Sequence, residues 1–67
     1  MEYRNSDISR VIDEVIHSAR DRRVLKLRFI DGLTYDTIAG EMDMSVRQIQ
    51  NIIYRHEKTV FRGLGIL

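Results

Sequence analysis

Between Ser45 and Lys58 the sequence concentrates side chains that can make two hydrogen bonds at once. Arg47, Gln48, Gln50, Asn51 and Arg55 all fall within nine residues. An arginine can bridge the two acceptors on a guanine edge, and asparagine or glutamine can match the donor–acceptor edge of adenine. Ordinary solvated helix faces are dominated by Glu and Lys instead. Coiled as a helix, this stretch turns Ile49, Ile52, Ile53 and Val60 to one side. Val46, Arg47, Gln48, Gln50, Asn51, Tyr54, Arg55 and Lys58 are left on the other. The chemistry of that outward face is the chemistry of base edges and phosphates.

Such a face must be held by the elements around it. Ser45 and Gln48 have the Ser-x-x-Gln spacing of a reciprocal capping pair, which marks the start of a long helix over 46–62. Just upstream, Thr34 caps a short helix over 35–42, with Asp36 in its first turn. A short helix, a tight turn at Asp43-Met44 and a longer helix make the helix-turn-helix pattern. Ala39, small, sits at the mid-point of the first helix where the pair crosses, and Asp43 tolerates the positive φ that the turn requires. Ile38, Met42, Met44, Ile49 and Ile52 bracket the turn as core residues.

Two further helices precede this unit. Ile8, Val11, Ile12, Val15, Ile16 and Ala19 repeat at three- and four-residue spacing, which predicts a helix over 7–17 with Ser6 as its cap. Ser18 caps another over 19–31, ended by Asp31-Gly32. No strand-like alternation, repeat or linker interrupts the chain, and there is no proline. The expected fold is all-α: one domain over residues 1–67, four helices around one core.

Composition narrows the functional classes. The chain has 67 residues and no cysteine, so neither a disulfide framework nor a thiolate metal site is available, and a reducing, cytoplasmic setting fits. No apolar run reaches the roughly 20 residues of a membrane span. A core this small leaves little room for an enzyme pocket. No nucleophile, metal or phosphate-loop motif is present, so no catalytic residue, metal site or cofactor is expected. The net charge of +1 conceals segregation: −2 over 1–17, +4 over 20–28, −3 over 36–43 and +3 over 45–62, with Asp31 alone between. The basic helices would meet phosphates, through Arg22 and Arg23 on the second and Arg55 and Lys58 on the fourth. Thr34, Tyr35 and Thr37, near the start of the third helix, add hydrogen-bond donors for the same backbone.

The run Val24-Leu25-Lys26-Leu27-Arg28-Phe29-Ile30-Asp31-Gly32-Leu33-Thr34-Tyr35-Asp36-Thr37-Ile38-Ala39, followed by Met44-Ser45-Val46-Arg47-Gln48-Ile49-Gln50-Asn51-Ile52, resembles the C-terminal promoter-reading region of bacterial RNA polymerase sigma factors. The resemblance covers roughly residues 10–60. Its motifs are shared with helix-turn-helix modules of two-component and quorum-sensing regulators. It implies promoter DNA as ligand, read by the second helix of the motif. By position, the reading residues are Ser45, Val46, Arg47, Gln48, Gln50, Asn51 and Tyr54. Two positions depart from the family pattern: Asp43 stands at the usual turn glycine, and Ser18 at the proline that often opens the second helix. Nothing resembles the sigma regions that bind the polymerase core or melt the promoter. If the chain is full length, the resemblance implies a stand-alone small phage or bacterial transcription regulator that uses the module alone. The alternative is a sigma-like adaptor that docks on RNA polymerase or another protein.

Other polar residues take plainer readings. His56, between Ile52 and Val60, is a packing or capping residue rather than a metal ligand, and His17 complements the end of the first helix. Asp13 and Glu14 are helix neighbours that point apart, a poor acid–base pair. The Arg20, Arg22, Arg23 cluster divides evenly between phosphate contact and ordinary solvated charge. The apolar tail, Phe61, Leu64, Ile66 and Leu67, either folds back on the first helix or forms a seam with a second copy. Because such modules commonly read two-fold sites, a homodimer is the expected assembly.

Overall fold

Three of the four helix starts are set by side chains acting three residues ahead. Ser18 Oγ accepts from the Asp21 amide at 3.3 Å, Thr34 Oγ1 from the Thr37 amide at 3.2 Å, and Ser45 Oγ from the Gln48 amide at 3.1 Å. At Ser45 the bond is returned, since its own amide donates to Gln48 Oε1 at 2.9 Å and completes a capping box. The computed structural model, which describes residues 3–66, accordingly has α1 (Asn5–Val15), α2 (Ala19–Phe29), α3 (Tyr35–Met42) and α4 (Val46–Gly63). There is no strand among the described residues, and the all-α expectation holds.

The first helix departs from its expected limits at both ends. It starts at Asn5, because the Arg4 carbonyl already accepts from Asp7 and Ile8 at 3.0 and 3.1 Å. Ser6 thus lies inside the helix, and no side chain caps it. It stops at Val15 because Ile16 turns extended (φ −111°, ψ 121°) to bury its side chain. His17 therefore lies beyond the helix, exposed, and does not serve its C-terminal end. The guanidinium of Arg22 instead ties down the connection from α1 to α2, donating to the Ile16 and His17 carbonyls at 3.1 and 3.3 Å. At the other boundaries, α2 ends at Phe29 rather than 31, closed by Gly32 at φ +68°, and α4 runs one residue further than expected.

The α2 and α4 helices each pack against all three others, so this pair forms the centre of the fold. Ile12, Ile16, Val24, Leu25, Ile38, Ile49 and Ile53 are almost wholly buried in one cluster drawn from every helix. Fully burying one such side chain is worth about 1.5–3 kcal/mol, which is how a short chain without disulfides holds together. Between α3 and α4, Asp43 adopts the left-handed conformation (φ 54°, ψ 48°), and the Met44 amide returns to the Ala39 carbonyl at 2.9 Å. The turn predicted at Asp43 is thus the turn observed.

The end of α4 closes on α1. A Cβ built on Gly63 would lie 2.6 Å from Val11 Cγ1, so only glycine lets the helices approach this closely. Leu64 packs against the core, and Phe61 meets Phe29 edge to face at 5.7 Å, so that part of the tail folds back. Ile66 remains half exposed, and Leu67 lies outside the described residues.

Candidate nucleic-acid interface

The capping box fixes the direction in which α4 leaves the turn, and helical periodicity then decides what it presents. Arg47, Asn51, Tyr54 and Lys58, spaced by three and four, form a continuous exposed stripe opposite Ile49, Ile52, Ile53 and Val60. The stripe spans about 16 Å at 1.5 Å per residue. Tyr54 is 59% exposed, the most exposed large apolar side chain among the described residues. Arg47, Arg55, Lys58 and Arg62 have no ion-pair or hydrogen-bond partner among the described residues.

The other expected base-reading residues are less free. Ser45 and Gln48 are exposed, but the serine hydroxyl and the glutamine carbonyl oxygen hold the capping box. That leaves Gln48 its amide NH2 as an outward donor. Val46 is half-buried against the core, and Gln50 is half-buried as well.

The expected phosphate-binding residues separate more sharply. Arg55 and Lys58 are exposed on α4 and Arg23 on α2. Arg22 is committed to the connection from α1 to α2 and lies 4.0 Å from Asp13. Thr34 caps α3, with its hydroxyl 2.9 Å from that of Thr37, and Tyr35 lies beneath the Arg28 guanidinium at 4.8 Å. These three sit together at the start of α3, positioned by one another and by Arg28, which also donates to the Leu33 carbonyl at 2.9 Å.

Two features escape a reading of the sequence alone. Arg20, rather than Arg22 or Arg23, lines a shallow groove between α2 and α4 with Gln48, Asn51 and Arg55, floored by Met44 and Ile52. Behind it lies Asp21, the one charged residue buried among those described. Its Oδ1 accepts from Arg20 Nε at 3.1 Å, and its Oδ2 lies 2.9 Å from His56 Nε2. Burial pushes this carboxyl up. The hydrogen bonds from His56 and then Arg20, with their charges, outweigh it and hold the carboxyl below its ordinary value. The signal was present: Asp21 falls one turn before Val24 and Leu25, and His56 lies between Ile52 and Val60. Each is a polar residue on an apolar stripe and in need of a partner.

A short helix, a left-handed turn and a capped second helix with a basic, amide-rich outer stripe define a DNA-binding helix-turn-helix domain. The chain belongs to the sigma-70 region 4 family, matched over residues 18–60. The match opens at the N-cap of α2 and closes within α4, so it holds α2, α3, the turn and all but the last three residues of α4, and leaves out α1. No curated protein and no solved structure matches the chain. The family binds DNA and is not enzymatic. No helix of the described residues is long and apolar enough to cross a membrane.

Proposed function

We propose that this protein is a sequence-specific, double-stranded DNA-binding transcription regulator that lays α4 in the major groove. The observation that carries this reading is the unpartnered stripe of Arg47, Asn51 and Tyr54 on the first turns of the second helix of the motif. In helix-turn-helix proteins that segment meets base edges. Arg47 and Asn51 supply bidentate hydrogen bonds and Tyr54 an apolar contact, while Ser45, Val46, Gln48 and Gln50 border them. Arg55 and Lys58 take phosphates beside the groove, which Arg20 lines while its guanidinium is held by Asp21. Arg23, Thr34, Tyr35 and Thr37 complete the phosphate-binding set in this reading. Arg22 has left that set, because its guanidinium is occupied at the connection from α1 to α2.

In this reading a homodimer reads a two-fold site in the cytoplasm, as a small phage or bacterial regulator would, and RNA polymerase is the protein partner. Selection of bound sequences from a random duplex pool tests it. The expected result is an enriched site whose two-fold symmetry reports the dimer, while an asymmetric site means a monomer. Absence of enrichment, with no salt-sensitive affinity for duplex DNA, overturns the reading in favour of an adaptor that works only by protein docking.

A further inference from the structure

His56 stands on the DNA-reading helix one residue from Arg55, does not line the groove itself, and meets α2 through its ring. Its partner there is the buried Asp21 carboxylate, whose second oxygen holds Arg20. Among the described residues, α1 and α3 bring no ion-pair partner to His56. The charged groups around it are Asp21 and Arg20 of α2, with Arg55 and Glu57 its neighbours on α4. Histidine is the side-chain type that changes charge between pH 5 and 8. With the ring neutral, its Nε2–H donates to Asp21, and the carboxylate is balanced by Arg20 alone. With a second proton on Nδ1, one carboxylate faces two cations, and the cluster gains a full positive charge. That charge appears one hydrogen-bonded carboxylate away from Arg20 and one residue from Arg55, both of which line the groove.

Resting on the DNA-contact reading above, we propose that His56 is a proton-binding site coupled to DNA through Asp21 and Arg20, so that duplex binding takes up a proton there. The protonated ring neutralises Asp21, which frees the Arg20 guanidinium to turn toward a phosphate. The added charge also raises the attraction of the whole groove for the DNA backbone. Linkage makes the effect reciprocal: a lower pH tightens DNA binding, and bound DNA holds the proton on His56. The side chain is only 21% exposed, so the charge is screened less than one in open solvent.

The test measures affinity for a short mixed-sequence duplex between pH 7.5 and 5.5 at constant salt, on the intact chain and on His56→Gln and His17→Gln. Glutamine at 56 keeps a donor for Asp21 but cannot take the charge. The intact chain and His17→Gln tighten by about fivefold across this range, at the low end of usual coupling, and His56→Gln stays flat. In the intact chain, the His56 ring resonances titrate at higher pH with duplex than without it, a readout that needs no variant to fold. Binding that is insensitive to pH, a slope retained by His56→Gln, or ring titration unmoved by DNA each overturn the proton coupling alone. No binding at any pH overturns the DNA reading and the coupling together.

Discussion

The two basic helices carry similar charge and use it in opposite ways. Four of the five cations of α2 are spent inside the molecule. Arg20 is on Asp21, Arg22 on the carbonyls between α1 and α2, Lys26 on Asp13 at 2.7 Å, and Arg28 on the Leu33 carbonyl and the Tyr35 ring. The four cations of α4, Arg47, Arg55, Lys58 and Arg62, have no such partner among the described residues. A net of +4 on one helix is therefore mainly architecture, and a net of +3 on the other is mainly available to a ligand. Charge per segment finds basic helices; only the partners of each cation separate a strut from a contact.

This contrast can be broken or sharpened one residue at a time. The largest effect is expected at Arg47. Arg47→Ala lowers affinity for the selected site by about 1–3 kcal/mol and relaxes preference at one base pair. Its folding stability stays within about 0.5 kcal/mol of the parent. Titrations against single-base variants of the site, with thermal unfolding alongside, check both halves. Equal loss on every sequence would make Arg47 a phosphate contact.

Arg22→Ala should give the opposite signature. Losing a charged donor to two carbonyls costs about 1–2 kcal/mol of stability in urea unfolding, while DNA affinity at a temperature where the variant is folded stays close to the parent. A variant that is fully stable but weak on DNA would return Arg22 to the interface.

The smallest effect concerns Asp21, where the charges of α2 and α4 meet. Its folded pKa is lowered, so the native state binds that proton less readily than the unfolded chain does. The associated stability is fully present above the ordinary carboxylate range, near pH 4, and is lost as pH falls through the lowered folded value. Acid unfolding followed by circular dichroism should show this loss in the parent, and Asp21→Asn should lose that component.

How far the sequence discloses this depends on distance along the chain. The caps at Ser18, Thr34 and Ser45 and the turn at Asp43 are local devices acting over three residues, and all four stand where their residue types imply. The outward stripe of α4 follows from helical period alone. The internal contacts of Arg22 are not legible in the sequence, because its acceptors come into place only where α1 stops early, and that stop depends on Ile16 reaching a core built from all four helices. The Asp21–His56 bond joins residues 35 positions apart, and each alone reads as an ordinary polar residue. Of the expected interface, Arg47, Asn51, Tyr54, Arg55 and Lys58 are exposed together on one helix. Ser45, Gln48 and Thr34 make the caps that their spacing implies, which leaves less of each side chain to a ligand.

The most direct measurement of the division between struts and contacts is the salt dependence of duplex affinity for three single variants. Each phosphate contact removed should flatten the slope of log Kd against log salt by about 0.9. Arg55→Ala and Lys58→Ala are expected to do so, and Arg22→Ala is expected to leave the slope of the parent unchanged. A slope flattened as much by Arg22→Ala as by Lys58→Ala would contradict the account.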